Sequence, residues 1–273
     1  MRSTRNRSVA RRRFGQHFLE AAWVEKVVRA IDPRPDDTFI EIGPGRGALT
    51  RPLAMRADRV VAYEIDRDLA AALAEDAPAN VAIVEGDFLE AIDRNPPFEA
   101  RGSATIRVAA NLPYNVASPI LFKLIELYAR GVRLGDATLM LQREVADRLL
   151  ARTGTKDYGS MTVLIGHSAA VTRVLDLPPG AFRPAPKVRS TVVRLQFHPP
   201  DPPVRDSRAF ETLVRAAFMW RRKTLANALA QAGSDPAAVP SALARAGIDG
   251  RRRAETLTIA EFATLADVLA TRS

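Results

Sequence analysis

The chain has 273 residues, enough for one large domain or for one domain with an appendage, and its 47% hydrophobic and 26% charged residues are typical of a folded globular protein. It has no cysteine, which excludes disulfides, thiolate metal sites and cysteine nucleophiles, and its three histidines are too few for us to expect a metal site. No uncharged apolar run reaches the roughly 18 residues that a membrane helix needs, so we expect a cytoplasmic protein with no membrane partner.

Positive charge is concentrated at the two ends of the chain, which has a formal net charge of +9. Residues 1–13 contain six Arg and no acid, residues 14–200 contain 23 basic and 23 acidic residues, and residues 201–273 contain 11 basic and 8 acidic residues. Basic ends around a neutral middle favour a catalytic body that holds a polyanion such as nucleic acid. Solubility, or a genome that favours Arg over Lys, is the alternative explanation.

From residue 37, short apolar runs alternate with helical stretches. Strands are predicted over residues 38–42, 59–64, 81–86, 105–112 and 137–142, and segments around 160–175 and 188–197 are predicted as closing strands. The intervening helices are predicted up to about Met55, from Asp66, and over residues 118–128. This alternation predicts an α/β fold with a mostly parallel sheet and helices on its faces.

The composition changes after the proline-rich run HPPDPPV at residues 198–204, which predicts a stiff linker. The residues beyond it are rich in Ala, Leu and Arg, follow a helical period and contain no convincing strand. We therefore predict a catalytic domain over residues 1–200, which includes the basic N-terminal arm, and a small all-helical domain over residues 205–273 that contacts the polyanion.

A glycine-rich turn between the first predicted strand and helix indicates a cofactor site. Gly43 and Gly45 let the backbone turn tightly and approach a ligand, and Glu64 ends the next strand, where an acid can accept hydrogen bonds from ribose hydroxyls. This spacing fits both NAD and S-adenosylmethionine (SAM). Glu41 inside the first strand and Asp87 after the third favour SAM, although Asp87 could instead cap the helix that follows it.

The fourth of these strands ends in Asn111-Leu112-Pro113-Tyr114, which is similar to the Asp/Asn/Ser-Pro-Pro-aromatic motif of enzymes that methylate exocyclic amines. An Asn side-chain oxygen and a backbone carbonyl can accept both N–H bonds of such an amine, and Tyr114 can stack on a base that has left its helix. The alternative is a simple turn in which Tyr114 belongs to the core.

The sequence resembles the small-subunit ribosomal RNA adenine dimethyltransferases, which are relatives of the erythromycin-resistance rRNA methyltransferases. The resemblance covers nearly the whole chain and rests on the runs RFGQHFL (13–19), EIGPGRGALT (41–50), YEIDRDL (63–69), GDFL (86–89), NLPYNVASPI (111–120), LMLQREVADRL (139–149), FRPAPKVRSTVVRL (182–195), RRKTLANAL (221–229) and RRAETLTIAEF (252–262).

The resemblance implies a Rossmann-like SAM-dependent methyltransferase domain followed by a small helical domain that contacts the rRNA of a ribosomal particle. It implies SAM contacts at His17, Leu19, Gly43, Glu64, Asp87 and Asn111. Gly45 is a further cofactor-binding candidate, from its place in the glycine-rich turn. It implies that the target adenine is held by Asn111, the Leu112 backbone, Tyr114 and Phe182. The family commonly has Asn where this chain has His17.

The implied substrate is a pair of adjacent adenosines in a hairpin loop near the 3′ end of small-subunit rRNA, dimethylated on N6 within the pre-30S particle by a monomeric enzyme. The candidates for phosphate contacts are the basic side chains Arg11 to Arg13, Arg143, Arg148, Arg183, Lys187 and Arg221 to Lys223. The alternative for each is a solvated surface charge, and Arg221 to Lys223 could equally form a helix face that packs against the methyltransferase domain. Three alternatives stay open: a large-subunit rRNA methyltransferase of the macrolide-resistance type, an assembly factor with vestigial activity, and a dinucleotide oxidoreductase.

Overall fold

The computed structural model describes residues 17–94, 105–113, 116–232 and 236–270, so Tyr114 and the basic arm over residues 1–13 lie outside the described residues. The strands are β1 (Phe18–Leu19), β2 (Thr38–Ile42), β3 (Arg59–Glu64), β4 (Val81–Glu85), β5 (Ile106–Asn111), β6 (Leu134–Gln142), β7 (Ala169–Leu177), β8 (Phe182–Arg183) and β9 (Ser190–Phe197). The helices are α1 (Ala21–Ile31), α2 (Thr50–Ala54), α3 (Arg67–Glu75), α4 (Phe88–Arg94), α5 (Ala117–Ala129), α6 (Arg143–Leu149), α7 (Ser160–Gly166), α8 (Ser207–Met219), α9 (Leu225–Gln231), α10 (Ala238–Arg245) and α11 (Ile259–Ala270). No helix within the described ranges combines the length and apolar character needed to cross a membrane.

Seven strands form one sheet in the order β4-β3-β2-β5-β6-β9-β7, and β1 pairs with β8 in a separate two-stranded antiparallel sheet. Strand β2 is parallel to both β3 and β5. The chain adds β3 and β4 on one side of β2 and then places β5 on the other side. Open α/β sheets bind ligands at such a reversal, outside the carboxyl ends of the strands.

The register of the central strands brings three of the predicted site residues to one edge of the sheet. Ile42 lies opposite Tyr63 on one side and Ala110 on the other. The residues that directly follow these three, Gly43, Glu64 and Asn111, therefore lie side by side at the carboxyl edge of the sheet.

By compactness the described residues divide into two units, the first of which contains those between 17 and 120, 138–142 and 175–192. Its core includes one face of α1, formed by Val27, Val28 and Ile31, together with Phe39 of β2 and Val60 of β3. The spacing of the α1 residues places them on one side of the helix, which explains why this segment packs as a helix against the sheet.

The second unit contains residues 121–137 and 143–174 and the described residues between 193 and 270. Phe210 and Val214 of α8 and Phe262 of α11 share a hydrophobic core with Tyr158 and with Val163 of α7. The C-terminal residues are helical, as predicted, and they share their core with a segment that precedes residue 200. The boundary between residues 200 and 205 stays a prediction.

The sequence predicted a strand around residues 160–175, and the first part of that prediction is wrong. Residues 160–166 form α7, and the strand β7 begins at Ala169. The Thr162 hydroxyl accepts a hydrogen bond from the Gly159 N–H at 3.1 Å, which starts the helix, and Val163 and Ile165 are fully buried. Burial of this run overrides the strand preference of its Thr, Val and Ile residues.

Candidate cofactor and base-binding site

A cavity lies at the carboxyl ends of β2, β3 and β5, within the first unit. Its empty volume is about 820 Å³, part of which is open to solvent. The predicted site residues that line it are His17, Leu19, Gly43, Gly45, Glu64, Asn111, Leu112 and Phe182. Most of the residues predicted from the sequence therefore line one cavity, and their individual roles stay predictions.

The glycine-rich turn after β2 needs glycine for two physical reasons. Gly45 has φ of +59°, a left-handed conformation that other residues adopt at a cost, and a Cβ there would lie 3.1 Å from the ring of Phe18. Gly47 has φ of +78°, and its Cβ would lie 2.7 Å from a methyl carbon of Leu73. The turn is thus held in a tight shape that leaves its backbone next to the cavity.

Glu64 is 3% exposed and has both carboxylate oxygens fixed by backbone donors. Oε2 accepts the N–H of Gly45 at 2.9 Å, and Oε1 accepts the N–H of Asp66 at 3.0 Å. Burial raises the pKa of Glu64, and these two N–H groups oppose the rise. Each oxygen keeps a second lone pair, so Glu64 can still accept one hydrogen bond from each of two ribose hydroxyls.

Glu41 lies beside Glu64 in the lining of the same cavity and is 2% exposed. Its Oε2 accepts no hydrogen bond from any part of the chain that the structure describes. Burial raises the pKa of Glu41 from an ordinary value of 4.5 to about 8, and the Glu64 carboxylate adds to the rise. Hydrogen bonding with Thr50 opposes this rise in pKa. Only Oε2 is without a partner, and a ligand that offers a donor or a positive charge would satisfy it.

The two short antiparallel strands β1 and β8 bring the N-terminal segment to the end of β5. Leu19 lies opposite Phe182, and the Nδ1 of His17 lies 2.6 Å from the carbonyl oxygen of Pro184. The Asn111 amide donates from Nδ2 to the backbone carbonyl of His17 at 2.8 Å. This bond fixes which end of the Asn111 amide is the donor, and its Oδ1 is left as the acceptor.

Asp87 is brought to the correct edge of the sheet, but it does not line the cavity. Its exposed side chain accepts the N–H of Leu89 at 3.0 Å, as expected of a residue that caps α4. In this structure Asp87 therefore caps α4, which is the alternative that the sequence left open. A contact between Asp87 and an adenine amine stays a proposal.

The lining residues that were not predicted as part of the site include Phe18, Glu41 and Met140. Glu41 was part of the SAM pattern, so its position inside β2 was a usable signal. Phe18 lies within the run HFL, and the Arg46 guanidinium stacks 4.4 Å from its ring. Met140 reaches the site because the Leu112 N–H donates to the Met140 carbonyl at 3.2 Å, a pairing that the local sequence does not reveal.

The sequence of nearly the whole chain, including the residues around this cavity, matches a known family. A profile of the family described as Ribosomal RNA adenine dimethylase matches residues 7–271. The chain belongs to this family. The resemblance found in the sequence is thereby confirmed, and the alternative of a dinucleotide oxidoreductase is wrong.

Relatives with high identity are similar along their full length. One, "Ribosomal RNA small subunit methyltransferase A" of Aromatoleum aromaticum, is 43% identical over 267 residues, 97% of this chain and 96% of the relative. A protein of the same description from Bordetella pertussis is 45% identical over 264 residues, 95% of this chain and 94% of the relative.

Solved structures confirm the predicted fold class. A dimethyladenosine transferase from Plasmodium falciparum superposes with a TM-score of 0.73 at 24% identity, covering 91% of this chain and 96% of the other. The 23S rRNA methyltransferase ErmE superposes with a TM-score of 0.64 at 27% identity, covering 93% of this chain and 99% of the other. The fold is thus a SAM-methyltransferase sheet followed by C-terminal helices.

The methyl donor of this family is SAM, and the cavity suits it. SAM carries a sulfonium and an ammonium group, and the cavity offers the buried carboxyl groups of Glu41 and Glu64. The unpartnered oxygen of Glu41 provides an acceptor for a cationic donor, and Glu64 has lone pairs for hydroxyls. Within the described residues, no group of three or more His, Asp or Glu side chains is arranged to hold a metal ion.

Proposed function

We propose that this rRNA adenine dimethyltransferase transfers two methyl groups from SAM to the N6 amine of each of two adjacent adenosines in a hairpin loop near the 3′ end of small-subunit rRNA. Its substrate is a pre-30S particle, and the enzyme works on it as a monomer in the cytoplasm. The support for this substrate is the identity of 43–45% with small-subunit enzymes, against 27% with the large-subunit enzyme ErmE.

The observation that carries the mechanism is the hydrogen bond from the Asn111 amide to the His17 carbonyl. Because Nδ2 is engaged, Oδ1 can accept an N–H of the target amine without the side chain rotating. The amine nitrogen is a poor nucleophile while its lone pair is conjugated with the adenine ring. Accepting both N–H bonds favours a tetrahedral nitrogen, whose lone pair is then available for the methyl group.

The Leu112 carbonyl is proposed as the second acceptor. Leu112 is buried, and its own N–H is bonded to β6, so the peptide is held rigidly at the edge of the sheet. Phe182 is also buried against this cavity, and we assign it one face of the adenine. Tyr114 is assigned the other face. After the first transfer one N–H is replaced by a methyl group, so one of the two acceptors must tolerate that methyl.

On the cofactor side, SAM supplies a methyl group on a positively charged sulfur when bound. We assign the ribose to Glu64, whose two oxygens are oriented by Gly45 and Asp66. The methionine end is assigned to the edge formed by His17 and Leu19, and Gly43 and Gly45 allow the backbone to approach it. Asp87 is assigned the adenine amine of SAM.

The test is transfer of labelled methyl groups from SAM to small subunits from a strain that lacks this modification. Large subunits and free rRNA are assayed in parallel, and the product nucleoside is identified. We expect dimethyladenosine on small subunits alone. Label on large-subunit rRNA would instead place the protein with the macrolide-resistance enzymes, and SAM binding without transfer to any RNA would make it an assembly factor.

A further inference from the structure

Trp220, which directly follows α8, leaves an indole ring on the surface of the second unit. It is 42% exposed, and the neighbouring Met219 is 67% exposed. The ring contacts no other aromatic side chain, and its N–H donates to no acceptor, among the residues the structure describes. The other tryptophan, Trp23, differs because it packs against the core of the first unit with Lys26 4.1 Å above its ring.

Two hydrogen bonds join the turn at Trp220 to two other loops of the second unit. The Arg221 side chain donates to the Lys156 carbonyl. The Leu225 N–H donates to the Arg252 carbonyl at 2.7 Å, so residues 220–225 are fixed beside both loops. We call the surface formed by these loops the Trp220 surface; it comprises Arg152, Lys156, Trp220, Arg222, Lys223 and Arg253.

The cations of the Trp220 surface are exposed, and no acid among the described residues pairs with them. Arg222 and Lys223 form no ion pair with any described residue, and the same is true of Arg152, Lys156 and Arg253. Their neighbours Arg251 and Arg252 are different, because Asp249 and Glu261 neutralise them. The carboxylates of Asp157 and Glu255 also belong to these loops, and they are outnumbered by the free cations.

We infer that Trp220 stacks on an unpaired base of the rRNA substrate while the surrounding cations hold its phosphates. This inference rests on the proposed function, which makes an RNA particle the partner. An aromatic face stacks on any base, and bases in RNA loops are unstacked and accessible. An exposed apolar group alone would suit a protein as well as RNA, but a rim of unpaired cations favours a polyanion.

Binding to small subunits that lack the modification separates stacking from charge. Affinity is measured by co-sedimentation over a series of salt concentrations. Trp220→Leu is expected to weaken binding about tenfold at every salt concentration without changing the salt slope, since stacking releases no counterions. Arg222→Gln is expected to reduce the slope by about one. Trp220→Phe, which keeps an aromatic face, and Met219→Ala are the matched controls and should bind like the unchanged chain.

Fluorescence tests the identity of the partner directly. Trp23→Phe leaves Trp220 as the single tryptophan, and an unstructured RNA oligonucleotide should quench its emission. Normal binding by Trp220→Leu would overturn the inference. So would weakened binding to particles combined with no quenching by RNA, since the contact would then be with a ribosomal protein. Methyl transfer by the unchanged chain is measured in parallel, and its absence would overturn the proposed function separately.

Discussion

Replacing Glu41 with Gln removes the buried carboxyl group whose pKa is raised to about 8. Because the pKa in the folded state is above the ordinary value of 4.5, the folded protein holds this proton more tightly than the unfolded chain does. Below about pH 4.5 the carboxyl group is protonated in both states, so it does not change the free energy of unfolding. As the pH rises from there towards 8, the free energy of unfolding decreases, because the unfolded chain releases the proton first.

The size of the effect follows from the two pKa values. Each pKa unit corresponds to about 1.4 kcal/mol. Between about pH 5.5 and about pH 8, the carboxyl group is expected to cost the cofactor-free protein about 3 kcal/mol of unfolding free energy. Gln has nearly the same shape and does not titrate, and all other titrating groups are shared. The stability of Glu41→Gln relative to the unchanged chain should therefore increase by about 3 kcal/mol over this range.

The assay is urea unfolding of both proteins at the two pH values without SAM. Glu85→Gln at the end of β4 serves as the control, because Glu85 is an exposed carboxyl group of the same sheet. It should give a stability difference that is the same at both pH values. If Glu41→Gln also gave a constant difference, Glu41 would ionise in the folded protein as it does in water, and the reasoning from burial would be refuted.

Three other substitutions test the site. Asn111→Ala should abolish methyl transfer and leave most SAM binding. Asn80→Ala, which loses the hydrogen bond that its amide donates to the carbonyl of Ala54, should keep activity, and equal activities of the two variants would contradict the proposed role. Glu64→Ala should weaken SAM binding at the ribose by about tenfold or more, measured by calorimetry, and an unchanged affinity would count against it. Gly47→Ala should destabilise the protein by about 1–3 kcal/mol, more than Gly131→Ala does. Both glycines have positive φ, but only a Cβ at residue 47 meets a side chain, and equal losses would show that the clash is relieved.

The sequence alone determined the central strands and the edge at which the site lies. The strands predicted over residues 38–42 and 59–64 agree with β2 and β3. A buried parallel strand has a continuous apolar sequence between polar turns, so the residues at which it begins and ends can be predicted from the local sequence. Because the carboxyl ends of parallel strands share one edge, Gly43, Glu64 and Asn111 could be grouped from their positions at strand ends.

The tertiary structure decided what depends on residues far apart in the chain. His17 and Asn111 are joined by a hydrogen bond across 94 positions, and Leu19 and Phe182 are paired by β1 and β8. It also made residues 160–166 a helix in spite of their strand preference. Local sequence sets which conformations are accessible, but burial against distant segments selects among them, because hydrophobic contacts outweigh small differences in propensity.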